Sequence, residues 1–71
     1  MAEDVVAPML GKVLRLAAEP GARVKEDETL LVMEAMKMEI QVVAPRDGML
    51  TAFRVAPGDA VDAGDVIAVL D

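Results

Sequence analysis

The sequence contains no cysteine, histidine, tryptophan or tyrosine, and its only aromatic residue is Phe53. Without cysteine there are no disulfides, and without cysteine or histidine the usual zinc ligands are missing, although small chains often depend on one or the other. The 71 residues are enough for one domain, which we place at residues 1–71. The stability of this domain must therefore come from packing.

Basic residues are also few. Seven Lys and Arg stand against thirteen Asp and Glu, which gives a formal net charge of −6. Because phosphate binding needs clustered basic side chains, no nucleic-acid partner is expected. The acidic start of the chain lacks the basic and apolar regions of a signal peptide, and no apolar run reaches membrane-spanning length. We expect a cytoplasmic protein without a membrane partner, monomeric as an isolated domain.

Most of the chain consists of two copies of one sequence pattern. Residues Val5–Glu34 align without a gap with Val42–Asp71, an offset of 37 positions, and both copies begin with "VVAP". Pro20–Gly21 falls on Pro57–Gly58, and each pair has the pattern of a type II turn. Two copies are too few for a solenoid. The repeat therefore predicts a single domain with pseudo-two-fold symmetry.

Each copy consists of short segments rich in Val, Leu and Ile that are separated by turn residues, a pattern typical of β-strands. We expect an all-β fold, a flattened barrel or sandwich of two antiparallel four-stranded sheets. The stretch around Ala35 is predicted to be a tight turn between two strands and not a helix. The predicted core is Val13, Val24, Leu30, Val32, Ile40, Val42, Leu50, Phe53, Val61, Ile67 and Val69.

Lys37 lies between Met36 and Met38 in the junction between the two copies. The pseudo-dyad makes this junction the counterpart of the chain termini, so the two are predicted to lie at opposite ends of the domain. A lysine in a turn is normally no more than a solvated charge. Methionines are unusual in turns, however, and exposed methionine is typical of surfaces that must fit several partners. The pattern therefore indicates a functional tip.

The segment "EAMKME", Glu34–Glu39, closely resembles the attachment motif of biotinyl domains, the biotin carboxyl carrier modules of biotin-dependent carboxylases. The duplicated pattern of Val, Gly and Pro extends this resemblance to nearly the whole chain. The resemblance implies that biotin is attached covalently to Lys37, with Met36 and Met38 as the flanking residues of the motif. The neighbouring residues that become candidates for recognition by the ligase are Glu34, Ala35 and Glu39.

The resemblance also implies the partners. A biotin protein ligase would modify the lysine, a biotin carboxylase using ATP and bicarbonate would load the carboxyl group, and a carboxyltransferase would receive it. The domain would be a carrier and not an enzyme. The link between Leu14 and Val24 is too short for the inserted "thumb" of some bacterial carriers, so the chain is similar to the thumbless type. It departs from the family at Leu10, often Pro, and at Asp27, where a turn glycine is usual.

Three alternatives remain. A lipoyl domain of the 2-oxo acid dehydrogenase complexes shares the duplicated architecture, but its lysine usually lies between Asp and Ala. An unmodified structural barrel would leave the Met-Lys-Met tip unexplained. Met33, Met36 and Met38 are soft thioether ligands of the kind that select copper(I), but the absence of Cys, His and an export signal argues against a copper site. Glu34 and Glu39 also have a simple interpretation as solvated acids at strand ends.

Overall fold

The structure is a computed structural model that describes residues 2–71 and contains only strands and turns over that range. Nothing in residues 2–71 forms a helix long and apolar enough to cross a membrane. The domain measures 32 × 17 × 17 Å. Its eight strands are β1 (Glu3–Val6), β2 (Gly11–Leu16), β3 (Arg23–Val24), β4 (Thr29–Ala35), β5 (Met38–Val43), β6 (Gly48–Phe53), β7 (Ala60–Val61) and β8 (Val66–Leu70).

The strands form two four-stranded sheets with the orders β1-β8-β6-β3 and β5-β4-β2-β7, and all pairings are antiparallel. The sequence repeat maps β1 to β4 onto β5 to β8, and this mapping converts the first strand order into the second. Each sheet therefore contains strands from both copies. The predicted fold class is confirmed, and the pseudo-dyad relates one sheet to the other.

Left-handed residues close the turns between the strands. Gly21 has φ 92° and Gly58 has φ 95°, as the two Pro-Gly pairs predicted. The first of these turns is closed by the Ala22 amide, which donates to the Glu19 carbonyl over 3.1 Å. Asp27 adopts φ 71° where the second copy has Gly64. An Asp tolerates this conformation better than most residues, so the turn is retained without glycine.

The predicted core is confirmed except at two positions. Nine of the eleven residues are buried, but Ile40 and Phe53 are only half-buried and pack against the margin of the core. Ile40 lies on β5, which is an edge strand, and Phe53 is the last residue of β6. Both positions have neighbours on fewer sides than a residue in the middle of an interior strand. The two residues are therefore wrong as predictions of full burial.

Several residues that the prediction left out belong to the buried core. Strands β4 and β8 lie inside their sheets, and four consecutive residues of each are buried, so that burial does not alternate along them. Such strands read as continuous apolar runs, and a search for alternation identifies only part of them. The buried residues that were not predicted are Val5, Ala7, Leu31, Met33, Ala35, Ala44, Ala68 and Leu70.

Glu3 and Asp71, near the two ends of the described chain, lie far from the β4–β5 loop. Strand β5 leads away from that loop for about 17 Å, given roughly 3.3 Å per residue. Beyond its end, the Arg46 guanidinium binds the Glu3 carboxylate at 2.8 Å, and the Met49 amide donates to the Asp71 carbonyl over 3.0 Å. Strands β1 and β8 are neighbours, with Glu3 opposite Leu70. The predicted separation of the lysine from the described ends of the chain is confirmed.

Candidate functional site

The loop between β4 and β5 consists of two residues. Ala35 pairs with Met38 at the end of the ladder, which leaves only Met36 and Lys37 to reverse the chain. Their φ values are 53° and 64°. Positive φ at both central residues is the signature of a type I′ turn, whose twist matches that of the flanking strands. The tight turn predicted around Lys37 is confirmed.

The residues in this turn are unusual for its geometry. Type I′ turns favour Asn-Gly because a Cβ atom is crowded in the left-handed region, and both Met36 and Lys37 carry one. Each non-glycine residue held there costs on the order of 1–3 kcal/mol. Such strain persists only where the surrounding structure imposes it, and it is concentrated at functional sites. The turn therefore marks Lys37 as a candidate site on physical grounds alone.

The tip is exposed and largely apolar. Met36 is 88% exposed and Met38 is 66% exposed, and Lys37 lies between them in solvent. None of the carboxylates in residues 2–71 forms an ion pair with the Lys37 amine. Met33 is fully buried, unlike the two exposed methionines, so the three thioethers do not lie on one exposed surface. The lysine amine is open to a partner.

Acidic side chains flank the tip on the outer face of the hairpin. Glu34 lies directly opposite Glu39, although like charges in this arrangement destabilise a strand pair. Glu39 lies 3.5 Å from Arg15 in an exposed ion pair, and Lys12 is the neighbour of Glu34 on β2. Such exposed pairs contribute little to stability. The arrangement leaves carboxylates accessible beside the lysine.

Three further residues lie near the tip: Ala35, which the resemblance made a candidate for ligase recognition, and Leu10 and Gly11, which received no functional role from the sequence. Ala35 is buried beneath the turn, so it can act only through packing, unlike the other candidates around the lysine. Leu10 immediately precedes β2 and is 67% exposed. Its neighbour Gly11 lies against Ala35 and Glu34. A linear motif does not show which residues of β2 contact β4. The only signal in the sequence was that both copies have a glycine at this position, Gly11 and Gly48.

The sequence matches the family described as "Biotin-requiring enzyme" over residues 3–70. The chain belongs to this family. Its relatives include the "Biotinylated protein TB7.3 homolog" of Mycobacterium leprae, 40% identical over 70 residues that cover 99% of each chain. The "Biotin carboxyl carrier protein" of Streptococcus mutans is 41% identical over 64 residues, which are 90% of this chain but 49% of that protein.

Solved structures of the family share the fold. The urea carboxylase of Kluyveromyces lactis matches with a TM-score of 0.96 and 31% identity, over 100% of this chain and 6% of that one. The lipoyl domain of the 2-oxoglutarate dehydrogenase complex from Azotobacter vinelandii matches with a TM-score of 0.79 and 30% identity, over 96% and 94% of the chains. Membership confirms the predicted family and its cofactor, biotin. The named relatives favour the biotin prediction over the lipoyl alternative.

Proposed function

We propose that this chain is a biotin carboxyl carrier whose biotin is attached to Lys37. The observation that carries the proposal is the position of the lysine amine. Lys37 lies in an exposed two-residue turn and is flanked in the sequence by Met36 and Met38. The "Biotin carboxyl carrier protein" of Streptococcus mutans supports it by similarity. When bound, biotin supplies the chemistry of carrying a carboxyl group between two active sites.

The chain itself contributes a positioned nucleophile. In the site of a biotin protein ligase the Lys37 amine loses a proton, its nitrogen forms an amide with the activated carboxyl carbon, and the activating group leaves. The hairpin presents the amine at the end of the domain, so that the strands below do not block the ligase. After the reaction the lysine has lost its charge, and its stem becomes part of a longer arm.

We assign the residues around Lys37 to recognition. Met36 and Met38 offer exposed, adaptable apolar surface that can fit the ligase, a biotin carboxylase and a carboxyltransferase in turn. Glu34 and Glu39 offer carboxylates to the ligase. Ala35 supports the turn from below, because its side chain is buried. The remoteness of the chain ends keeps any attached segment away from the tip.

Intact-mass measurement after coexpression tests the attachment. With a biotin protein ligase we expect one added biotinyl group on the wild-type domain and none on Lys37→Arg, which keeps the charge but lacks a primary amine that can form the amide. Lys25→Arg is the matched control, because Lys25 is also exposed and should not be modified. Coexpression with a lipoate ligase should add no lipoyl group.

A second measurement tests the carrier role separately. The biotinylated domain is incubated with a biotin carboxylase, ATP and labelled bicarbonate, and the label on the domain is counted. Label on the wild-type domain and none on unmodified Lys37→Arg supports carboxyl carriage. Biotin on Lys37→Arg would disprove the assigned attachment site. Lipoylation in place of biotinylation would restore the lipoyl alternative, and a biotinylated domain that never takes up label would contradict the carrier role.

A further inference from the structure

Gly11 is packed against the hairpin directly behind its tip. A Cβ atom at this position would collide with the carbonyl oxygen of Glu34, and it would lie 2.6 Å from Cε of Met33 and 3.3 Å from Cβ of Ala35. The methionine side chain can rotate away, but the Glu34 carbonyl is part of the β4 backbone. Any side chain at Gly11 must therefore push β2 and β4 apart at the residues that lead into the turn.

The pseudo-dyad supplies a comparison within the same molecule. Gly48 is the counterpart of Gly11 and faces Asp71, the counterpart of Glu34. A Cβ atom at Gly48 would lie 2.6 Å from Nη1 of Arg46 and 2.9 Å from the Asp71 carbonyl oxygen. The closer of these atoms is the end of a flexible side chain, and the other is a backbone oxygen that accepts a hydrogen bond from the Met49 amide. The same construction thus occurs at both ends of the domain, but only Gly11 lies behind the lysine.

The turn that follows Ala35 depends on the position of this backbone. The Ala35–Met38 pair closes a loop whose two residues are both strained, and a strained conformation is kept only while its surroundings determine it. A shift at Glu34 and Ala35 would let the loop relax into another geometry. The lysine amine would then be displaced from the ligase's reactive centre, and a misplacement of about 1 Å can lower a rate by about a hundredfold.

We propose that Gly11 is a positioning residue for the modification of Lys37. By having no side chain it allows β2 to approach β4 at Glu34 and thereby holds the left-handed turn that presents the amine. This proposal rests on the proposed function, because it concerns the efficiency of attachment at the same lysine. It assigns Gly11 no contact with biotin or with the ligase.

The test compares Gly11→Ala with Gly48→Ala. Steady-state biotinylation by a biotin protein ligase is measured at a temperature where thermal melts show both variants folded. We expect Gly11→Ala to lower kcat/KM for the domain by about tenfold or more and Gly48→Ala by less than about twofold. Amide chemical shifts of the unmodified domains are expected to change at residues 35–38 in Gly11→Ala and to stay unchanged there in Gly48→Ala.

The outcomes separate this proposal from the function on which it rests. If the wild-type domain takes no biotin, the proposed function fails, and the chemical shifts still decide whether Gly11 holds the turn. Equal loss of kcat/KM in both variants, or unchanged shifts at residues 35–38, would overturn the positioning role. If Gly11→Ala is unfolded, the measurements are repeated with a stabilising osmolyte. A Gly11→Ala variant that stays unfolded would show that Gly11 is needed for folding of the whole domain, and this result would also overturn the positioning role.

Discussion

Met33, Met36 and Met38 lie close together in the sequence, but their surroundings differ completely. Met33 is fully buried in the core, and the other two are mostly exposed at the tip. A thioether side chain suits both places, because it fills irregular space in a core and adapts to varied partners on a surface. At the scale of the residue, burial therefore separates the methionine that holds the fold from those that we assign to recognition.

This difference in burial predicts that replacement by Ala affects stability at Met33 but function at Met36 and Met38. Met33→Ala should lower the free energy of unfolding by about 2–5 kcal/mol, because it leaves a cavity. The double change Met36→Ala and Met38→Ala should cost well under 2 kcal/mol and should slow biotinylation or carboxyl transfer. Urea melts and ligase kinetics measure the two effects. A loss in the double variant as large as that of Met33→Ala would make the tip methionines structural.

The strain at Met36 leads to a second prediction at this scale. Asn adopts the left-handed region more readily than Met, so Met36→Asn should raise the free energy of unfolding by about 0.5–1 kcal/mol. Modification of Lys37 should become slower, because the apolar contact surface is reduced. Met38→Asn is the control: Met38 lies in β5, where Asn is unfavourable, so this variant should gain no stability. A Met36→Asn variant that is no more stable than the wild type would show that the turn is unstrained.

At the scale of the element, the β4–β5 hairpin combines two unfavourable features. The turn holds two left-handed residues with side chains, and its flanks set Glu34 against Glu39. The sequence predicted the strands, the turn and the exposure of the lysine from residue types and motif. It did not predict the register that brings the two acids together, because register depends on pairing across the hairpin.

The facing acids give a prediction for the hairpin. Glu34→Gln and Glu39→Gln each remove one of two like charges, so the free energy of unfolding should stay within about 0.5 kcal/mol of the wild type or rise. The KM for the domain in ligase kinetics should increase if the carboxylates are recognised. Glu19→Gln, an exposed acid in a turn of the first copy, is the control and should change neither quantity. An unchanged KM in both hairpin variants would leave Glu34 and Glu39 as ordinary solvated acids.

At the scale of the whole molecule, the pseudo-dyad determines where function is located. It relates the tip with Lys37 to the end where Arg46 binds Glu3, so that equivalent positions in the two copies lie at different ends. Leu10 and Asp47 are such a pair, and both are exposed. Leu10 precedes Gly11, which lies behind the tip. Asp47 precedes Gly48, which lies beside Asp71 at the opposite end.

This geometry can be tested with a bulky label, because the chain has no cysteine of its own. Leu10→Cys and Asp47→Cys are each coupled to a large polyethylene glycol maleimide, and biotinylation is followed by intact mass. The label at position 10 should slow modification strongly, because it lies at the same end of the domain as Lys37 and would obstruct the approach of the ligase. The label at position 47 should leave the rate close to that of the unlabelled variant. Equal inhibition at both positions would contradict the separation of the two ends.

The sequence by itself determined the repeat, the fold class and the turns at Pro20–Gly21 and Pro57–Gly58, which depend on residue type and on spacing along the chain. It also made Lys37 the attachment candidate, through the resemblance of its motif to that of biotinyl domains. Only the tertiary structure decided the strained geometry of the turn, the burial of Ala35 and the close approach of Gly11 to Glu34. The physical reason is that each of these depends on which strand lies beside which and in what register, and the packing of both copies together fixes that register.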